Sequence, residues 1–202
     1  MFNIYQTNKA RIISAGQESV DTKLFRLQFI DREIQNNFHF LPGQFLQIGL
    51  AGWGECPISI CSSPNDSEDF FELAIRDVGA LTHKLNSMSV GDMVEIRGPF
   101  GNGFDVDLFK GKPLLLIGGG CGFVPLRPLI IDYLAGRFKS TTLQILYGCL
   151  SEQTMLFKKN HVAWNRRAEL KVILEKPSTG WKGDKGLVTD LISQIKISAK
   201  TV

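Results

Sequence analysis

Leu114-Leu115-Leu116-Ile117-Gly118-Gly119-Gly120-Cys121-Gly122-Phe123-Val124-Pro125 is the stretch that decides how this chain is read. Leu114 to Ile117 is a short, wholly apolar run, the pattern of a parallel strand buried on both faces. Glycines follow where such a strand must turn. A helix-like stretch from Val124 to Gly136 comes next, with Pro125 and Pro128 tolerable only near its start. Glycines between a strand and a helix let backbone N–H groups approach a pyrophosphate, and the helix N-terminus adds partial positive charge. The spacing is not GxGxxG, so this is not the standard dinucleotide fingerprint. The plain structural reading is a tight turn packing strand on helix; the strand–turn–helix context favours the phosphate-binding one.

Downstream, the same rhythm continues. Strands are predicted at Leu143 to Tyr147 and Leu170 to Leu174, and helices near Thr154 to Arg166 and Val188 to Ile195. Alternation of this kind is the signature of a doubly wound parallel sheet. Upstream, to about residue 105, the period falls to two: Phe25, Leu27 and Phe29 alternate with Arg26 and Gln28. Turn signals recur at Pro42-Gly43, Gly52 with Gly54, Pro64-Asn65-Asp66 and Gly91-Asp92, and one short helix is expected from Leu81 to Met88. Short strands so spaced predict an antiparallel barrel or sandwich. Nine of the 20 glycines fall between Gly91 and Gly122, where the two patterns meet. The expected organisation is a β-barrel over residues 1–107 followed by an α/β unit over 108–202.

Composition bounds the function. At 202 residues, 44% hydrophobic and 21% charged, the chain is an ordinary globular sequence, which excludes disordered and collagen-like classes. A net charge of +3 makes no case for nucleic acid. It conceals an asymmetry: residues 1–109 hold 8 basic against 14 acidic side chains, and residues 110–202 hold 15 against 6. The basic half suits an anionic ligand. Cys56, Cys61, Cys121 and Cys149 show no CxxC spacing, and His39, His83 and His161 stand apart, so no metal centre is expected. Scattered thiols, no signal-peptide pattern and no uninterrupted apolar span point to the cytoplasm and to a chain without a membrane crossing.

A second set of motifs lies in the acidic half. Pro42-Gly43-Gln44-Phe45 is followed by Cys56-Pro57-Ile58-Ser59-Ile60-Cys61-Ser62-Ser63-Pro64, then by Glu72-Leu73-Ala74-Ile75-Arg76 and Gly79-Ala80-Leu81-Thr82. Thr82 is placed to cap the short helix. Arg97-Gly98-Pro99-Phe100-Gly101-Asn102-Gly103-Phe104 closes the half.

In this order the motifs resemble the ferredoxin–NADP reductase family, and most of all its flavin-bearing electron-transfer subunits of the sulfhydrogenase gamma, anaerobic sulfite reductase B and dihydroorotate dehydrogenase types. The likeness runs from about Tyr5 to Val202. It implies an FAD-binding barrel, an NAD(P)-binding α/β domain and the flavin between them. Pro57, Ile58, Ser59 and Ile60 would hold the isoalloxazine ring, with the Ser59 hydroxyl near its reactive edge as the catalytic contact. Ile75 and Arg76 would flank the ring and ribityl chain, and Gly79, Leu81 and Thr82 would meet the pyrophosphate. Gly119, Gly120, Cys121, Gly122 and Pro125 match the nicotinamide-dinucleotide segment, and Tyr147-Gly148 the strand end beside the adenosine. Gly180-Trp181-Lys182-Gly183 is like the sulfhydrogenase and sulfite reductase subunits.

Three departures shape the expectations. Cys56 stands where the family carries an arginine for the pyrophosphate, so Arg76 or Arg97 becomes the candidate cation. Leu150 stands where many relatives carry another arginine, with Lys158 and Lys159 nearby, leaving NAD(H) and NADP(H) both open. Relatives continue past position 202 into a fourth strand and a cysteine-rich segment holding a [2Fe–2S] cluster. The resemblance therefore implies a truncated α/β domain or a partner covering the Leu114–Ile117 edge, and a cluster supplied by a missing segment or a partner subunit. The implied activity is hydride exchange between NAD(P)H and FAD with single electrons passed to an iron–sulfur or other redox subunit. The alternative is a flavin-binding assembly subunit that no longer reacts with pyridine nucleotide; a free-standing flavin reductase is a third.

Overall fold

The computed structural model describes residues 5–66 and 69–194. The chain divides into two compact units, Met1–Phe104 and Asp105–Val202. The first contains β1 (Asn8–Ser19), β2 (Thr22–Phe29), α1 (Arg32–Asn36), β3 (Phe45–Leu50), β4 (Gly54–Ser59), β5 (Phe71–Arg76), α2 (Ala80–Ser87) and β6 (Met93–Phe100). The strands form one antiparallel sheet in the order β4-β3-β6-β1-β2-β5. Its two edges meet at a single antiparallel bridge, Ile60 with Leu73, reinforced where Cys61 N–H donates to Glu72 O at 2.9 Å. The sheet is thereby closed into a barrel. Alternation sends Ala10, Ile12, Phe25, Leu27, Leu46, Ile48, Leu73, Ile75, Val94 and Ile96 into one core. Burial of that interior is the main favourable term for this unit.

The second unit is parallel. It contains β7 (Leu114–Gly119), α3 (Arg127–Leu134), β8 (Leu143–Cys149), α4 (Lys158–Trp164), β9 (Glu169–Leu174) and the two-residue β10 (Asp184–Lys185), with 3-10 turns at Val106–Phe109, Gly120–Leu126 and Val188–Gln194. The sheet order is β10-β9-β8-β7. No helix of the described residues is long and apolar enough to cross a membrane.

Several expectations are corrected. The helix read from Val124 begins as a 3-10 turn at Gly120, and regular α-helix starts only at Arg127. Pro125 has no N–H to give an α-helical ladder, whereas Pro128 falls at the second helical position, where no intrahelical donor is needed. The helix read from Thr154 shrinks to α4, because the Thr154 hydroxyl is bonded into a turn with Ser151 and Phe157 takes a positive φ of 53°. The last helix is 3-10 over Val188–Gln194, and Ile195 lies outside the described residues. The Leu114–Ile117 run is not buried on both faces. Leu114 and Leu116 are buried but Ile117 is 40% exposed, since β7 is an edge of the sheet as described.

An aromatic cluster seats this unit. Phe123 stacks on Tyr147 at 4.2 Å, and Phe157, His161 and Trp164 close around them. Two glycines let backbone approach this closely: a Cβ on Gly118 would lie 2.9 Å from Phe123 Cα, and one on Gly148 would lie 2.7 Å from Val188 Cβ. Gly118→Ala and Gly148→Ala should each destabilise the second unit by about 1–3 kcal/mol through overpacking, read by chemical denaturation with the barrel transition unchanged.

His161 offers a second test. Burial holds its pKa below the ordinary value, opposed by the hydrogen bond of its Nε2–H to Leu156 O at 3.0 Å. The imidazole is neutral when folded and gains a proton more readily when unfolded. Its contribution is therefore full above the unfolded value of about 6.5 and is lost as pH falls through the lower folded value. The thermal midpoint of the second unit should drop between pH 7 and 5, and His161→Gln should flatten that slope.

Candidate functional site

The barrel's seam is the shortest junction between neighbouring strands of its sheet. β4 and β5 meet at the Ile60–Leu73 bridge and at the adjoining Cys61 N–H to Glu72 O bond, with α2 packed against both strands. Along this opening Pro57 is exposed and Ile58 and Ser59 are partly exposed. Ile60 and Ile75 are not: both are 1% exposed and point into the barrel core, so their side chains support the seam rather than line it. Of the expected roles, Ile60 lining the ring and Ile75 flanking it, only backbone contact is open to either residue in this arrangement.

At the far end of the seam, Gly79 is the N-cap of α2, extended, with open space where a side chain would stand. The first N–H groups of a helix have no partner within it, so Ala80, Leu81 and Thr82 present donors and the positive end of the dipole there. Thr82 is not the cap but the third helical residue. Its hydroxyl accepts from Val78 N–H at 3.0 Å and Gly79 N–H at 2.9 Å and donates to Gly79 O at 3.0 Å. The hydroxyl is spent in shaping the turn, and the donors left for an anion are backbone. Leu81 packs its side chain on the barrel core. His83, beside Thr82, is exposed and bonded through Nδ1 to Asp77 at 2.9 Å.

The two candidate cations differ. Arg97 is bound by both oxygens of Glu55 across β3, and that pairing holds the Glu55 carboxyl below its usual range. Arg76, at the end of β5, has a half-exposed guanidinium whose Nε donates to Asp21 at 2.6 Å. Asp21 also accepts from Ser19 at 2.9 Å and Thr22 at 3.0 Å; burial pushes its carboxyl up, and these bonds with Arg76 more than offset it, leaving it low. Burial pushes the Cys56 thiol up, so it brings no charge to an anion and at most a weak S–H donor. Exposed strand backbone, an uncrowded helix N-terminus and the Arg76 cation together fit the ring and pyrophosphate of a flavin dinucleotide. Asp21 was not legible as a partner, because it is 55 residues away from Arg76 in the chain.

In the second unit the glycine turn sits at the carboxyl edge of the sheet, where ligands of open parallel sheets bind. Gly120 has a φ of +50° and, like Gly122, open space around its missing Cβ. Cys121 between them is exposed, and Gly119 meets only Val188 at 4.0 Å. This cradle of uncrowded backbone fits a pyrophosphate. Pro125 serves by redirecting the chain into α3. Tyr147 and Gly148 are both buried: the Tyr147 hydroxyl accepts from Leu156 N–H at 3.0 Å, and Gly148 is filled by Val188. The Tyr147 side chain and the Gly148 Cα support the turn from beneath, so what the end of β8 offers an adenosine there is backbone. Among the described residues no group of three or more His, Cys, Asp or Glu is placed to hold a metal ion.

Comparison with known proteins agrees with both halves. The oxidoreductase FAD-binding domain family matches residues 9–104, and the oxidoreductase NAD-binding domain family matches residues 116–201. The chain is 39% identical to sulfhydrogenase 2 subunit gamma of Pyrococcus furiosus, covering 94% of this chain and 69% of that protein. It is 36% identical to the electron transfer subunit of dihydroorotate dehydrogenase B (NAD(+)) of Caldanaerobacter subterraneus, over 76% of this chain and 56% of that protein. Among solved structures, the cytochrome b5 reductase domain of Ulva prolifera nitrate reductase has the same fold, with a TM-score of 0.74 at 21% identity, covering 91% of this chain and 79% of that one. An Amycolatopsis cytochrome P450 reductase gives a TM-score of 0.80 at 22% identity, covering 94% and 57%. An antiparallel barrel and a parallel sheet in this order, each matched to its own oxidoreductase domain, place the chain in the ferredoxin–NADP reductase family.

Proposed function

We propose that the chain is the flavin-bearing electron-transfer subunit of a multi-subunit oxidoreductase, exchanging a hydride between NAD(P)H and FAD and passing single electrons to an iron–sulfur or other redox subunit. The observation that carries this reading is the pair of uncrowded backbone turns, Gly79–Thr82 on the barrel and Gly119–Gly122 on the sheet, each suited to a pyrophosphate. Relatives named as sulfhydrogenase gamma subunits and dihydroorotate dehydrogenase electron-transfer subunits support it.

A flavin, when bound, supplies the chemistry of taking a hydride and releasing electrons one at a time. The protein's own part is positioning. Pro57 to Ser59 offer a partly exposed edge for a planar ring, with the Ser59 hydroxyl as its polar contact. Backbone donors at α2 and the Arg76 guanidinium balance pyrophosphate charge. The glycine turn does the same for the nicotinamide dinucleotide. A second reading, an assembly subunit that binds flavin and does not react with nucleotide, is favoured by the exposed, apolar Leu150 just past β8.

Purified protein should release FAD, not FMN, on acid extraction, and its flavin absorbance should bleach with NADH or NADPH under anaerobic conditions. A flavin reduced by dithionite but by neither nucleotide would establish the second reading instead. Gly120→Val introduces a branched side chain at a positive φ; it should keep FAD yet slow nucleotide-driven bleaching ~10-fold or more through misplacement of the dinucleotide. Thr82→Val removes the hydroxyl that gathers Val78 and Gly79, and should weaken FAD binding to the apoprotein by about 1–2 kcal/mol.

A further inference from the structure

We infer that the amino-terminal edge of the parallel sheet is a docking surface for an acidic face of a protein subunit, which it holds through Lys110, Lys112, Lys139 and Arg166. The inference rests on the reading of the chain as a subunit of a larger oxidoreductase and adds to it where, and by what chemistry, a partner is held.

Topology gathers these residues. Lys110 and Lys112 precede β7, Lys139 precedes β8, and Arg166 and Arg167 precede β9. The three strands are parallel, so the loops that enter them lie side by side at one edge of the sheet. Backbone bonds lace the first two loops together. Gly111 N–H donates to Lys139 O at 2.6 Å, Thr141 N–H to Lys112 O at 3.0 Å and Leu114 N–H to Thr142 O at 2.8 Å. The Ser140 hydroxyl donates to Lys112 O at 2.5 Å, and Phe109 packs on Phe138 with ring centroids 6.1 Å apart. The third loop is tied in where the Arg167 guanidinium donates to Leu134 O at the end of α3. An open groove of about 620 Å³ runs along this edge between the loops entering β8 and β9, with Thr141, Thr142, Asn165, Arg166 and Arg167 on its walls.

Charge decides what fits. The four cations named are exposed. In the barrel unit Arg26, Arg76 and Arg97 each meet a carboxylate. At the sheet edge Arg137 is taken by Asp132 at 2.8 Å, but among the described residues Lys110, Lys112, Lys139 and Arg166 are in no ion pair. Unpaired cations on three adjoining loops attract and orient a negatively charged partner. The acids of this edge are few and spaced apart. The Asp105 carboxylate accepts from Asp107 N–H at 3.1 Å in the turn before Lys110, and the Glu169 carboxylate accepts from Gln144 Nε2 at 2.7 Å. Leu108, in the same turn as Asp107, is 55% exposed and adds an apolar contact. Separate cations, hydroxyls, an apolar side chain and interspersed carboxylates match a folded protein face with discrete acids and donors of its own; the unbroken charge of a nucleic-acid backbone would meet Asp107 and Glu169 as repulsion. Position favours the same reading. β8 has seven residues, so this edge lies about 20 Å from the glycine turn at the other end of the strands. A subunit anchored here leaves the carboxyl edge open to a nucleotide.

The test uses the flavin-loaded chain and a fluorescent peptide of eight glutamates, read by anisotropy. The peptide should bind saturably, and its affinity should fall ~10-fold or more as ionic strength rises from about 0.02 to about 0.2 M. Lys112→Glu combined with Arg166→Glu should weaken binding ~10-fold or more, because two attractions become repulsions. Lys158→Glu combined with Lys159→Glu makes the same change of net charge at the opposite edge and should leave the affinity within about threefold. Flavin content, unchanged in both variants, reports that each is folded. Equal losses in the two variants, or no loss in the first, would overturn the inference and leave the subunit reading standing. So would tighter binding, at the same edge, of a duplex DNA oligonucleotide or of phosphatidylserine vesicles. A chain that binds the peptide at this edge yet sediments alone when isolated from its own cells would overturn the subunit reading itself, and this inference with it.

Discussion

The approach of Phe123 to Gly118 is the contact on which the second unit turns. The polypeptide leaves β7, reverses through Gly119 to Gly122, and comes back so close that a methyl group on Gly118 would strike the Phe123 backbone. The Phe123 ring then stacks on Tyr147, which in turn receives the Leu156 N–H. One aromatic pair thus fixes the turn after β7, the end of β8 and the segment entering α4. Such pairs contribute of order 1 kcal/mol beyond the area they bury. The greater effect is geometric, because the open backbone at Gly120 and Gly122 is held from beneath by residues that never reach the surface.

The barrel solves a related problem differently. Its opening is created by a closure that is brief: β4 and β5 meet at the Ile60–Leu73 bridge and at the Cys61 N–H to Glu72 O bond beside it. α2 packs across the opening and turns its N-terminus outward, so the site needs few side chains. In the proposed function, backbone donors and Arg76, paired with Asp21, take the part that an arginine at position 56 would play. A charge-assisted bond of this kind keeps a long side chain ordered before any ligand arrives.

The sequence made both folds legible through periodicity, and the two glycine-bearing turns through their position between elements. It failed where a residue's role depends on what lies opposite. Ile60 and Ile75 fall within the ring-binding motifs, yet the pleat sends their side chains inward, because residues at alternate positions must point to opposite faces. Tyr147 and Gly148 match a ligand-bearing segment, but Val188 and Phe123, 41 and 24 residues from Tyr147, take up the space around them. The Asp21–Arg76 pair is likewise made across the chain, and no local pattern announces it. The prolines at 125 and 128 were legible as marking a helix start, but only the backbone shows the 3-10 turn that precedes it.

The single bridge that closes the barrel also bears on how the chain finds its fold. Ile60 and Leu73 are only 13 positions apart, whereas β1 must find β6 across more than 80 residues. Loop-closure entropy grows with the logarithm of the separation, so the local contact is the less expensive one to make. The edges that finally face each other across the opening are therefore neighbours in sequence, and the seam can assemble as a hairpin-like piece before the rest of the ladder exists. What looks in the finished barrel like its weakest join is thus, in chain entropy, one of its less costly long-range contacts to close.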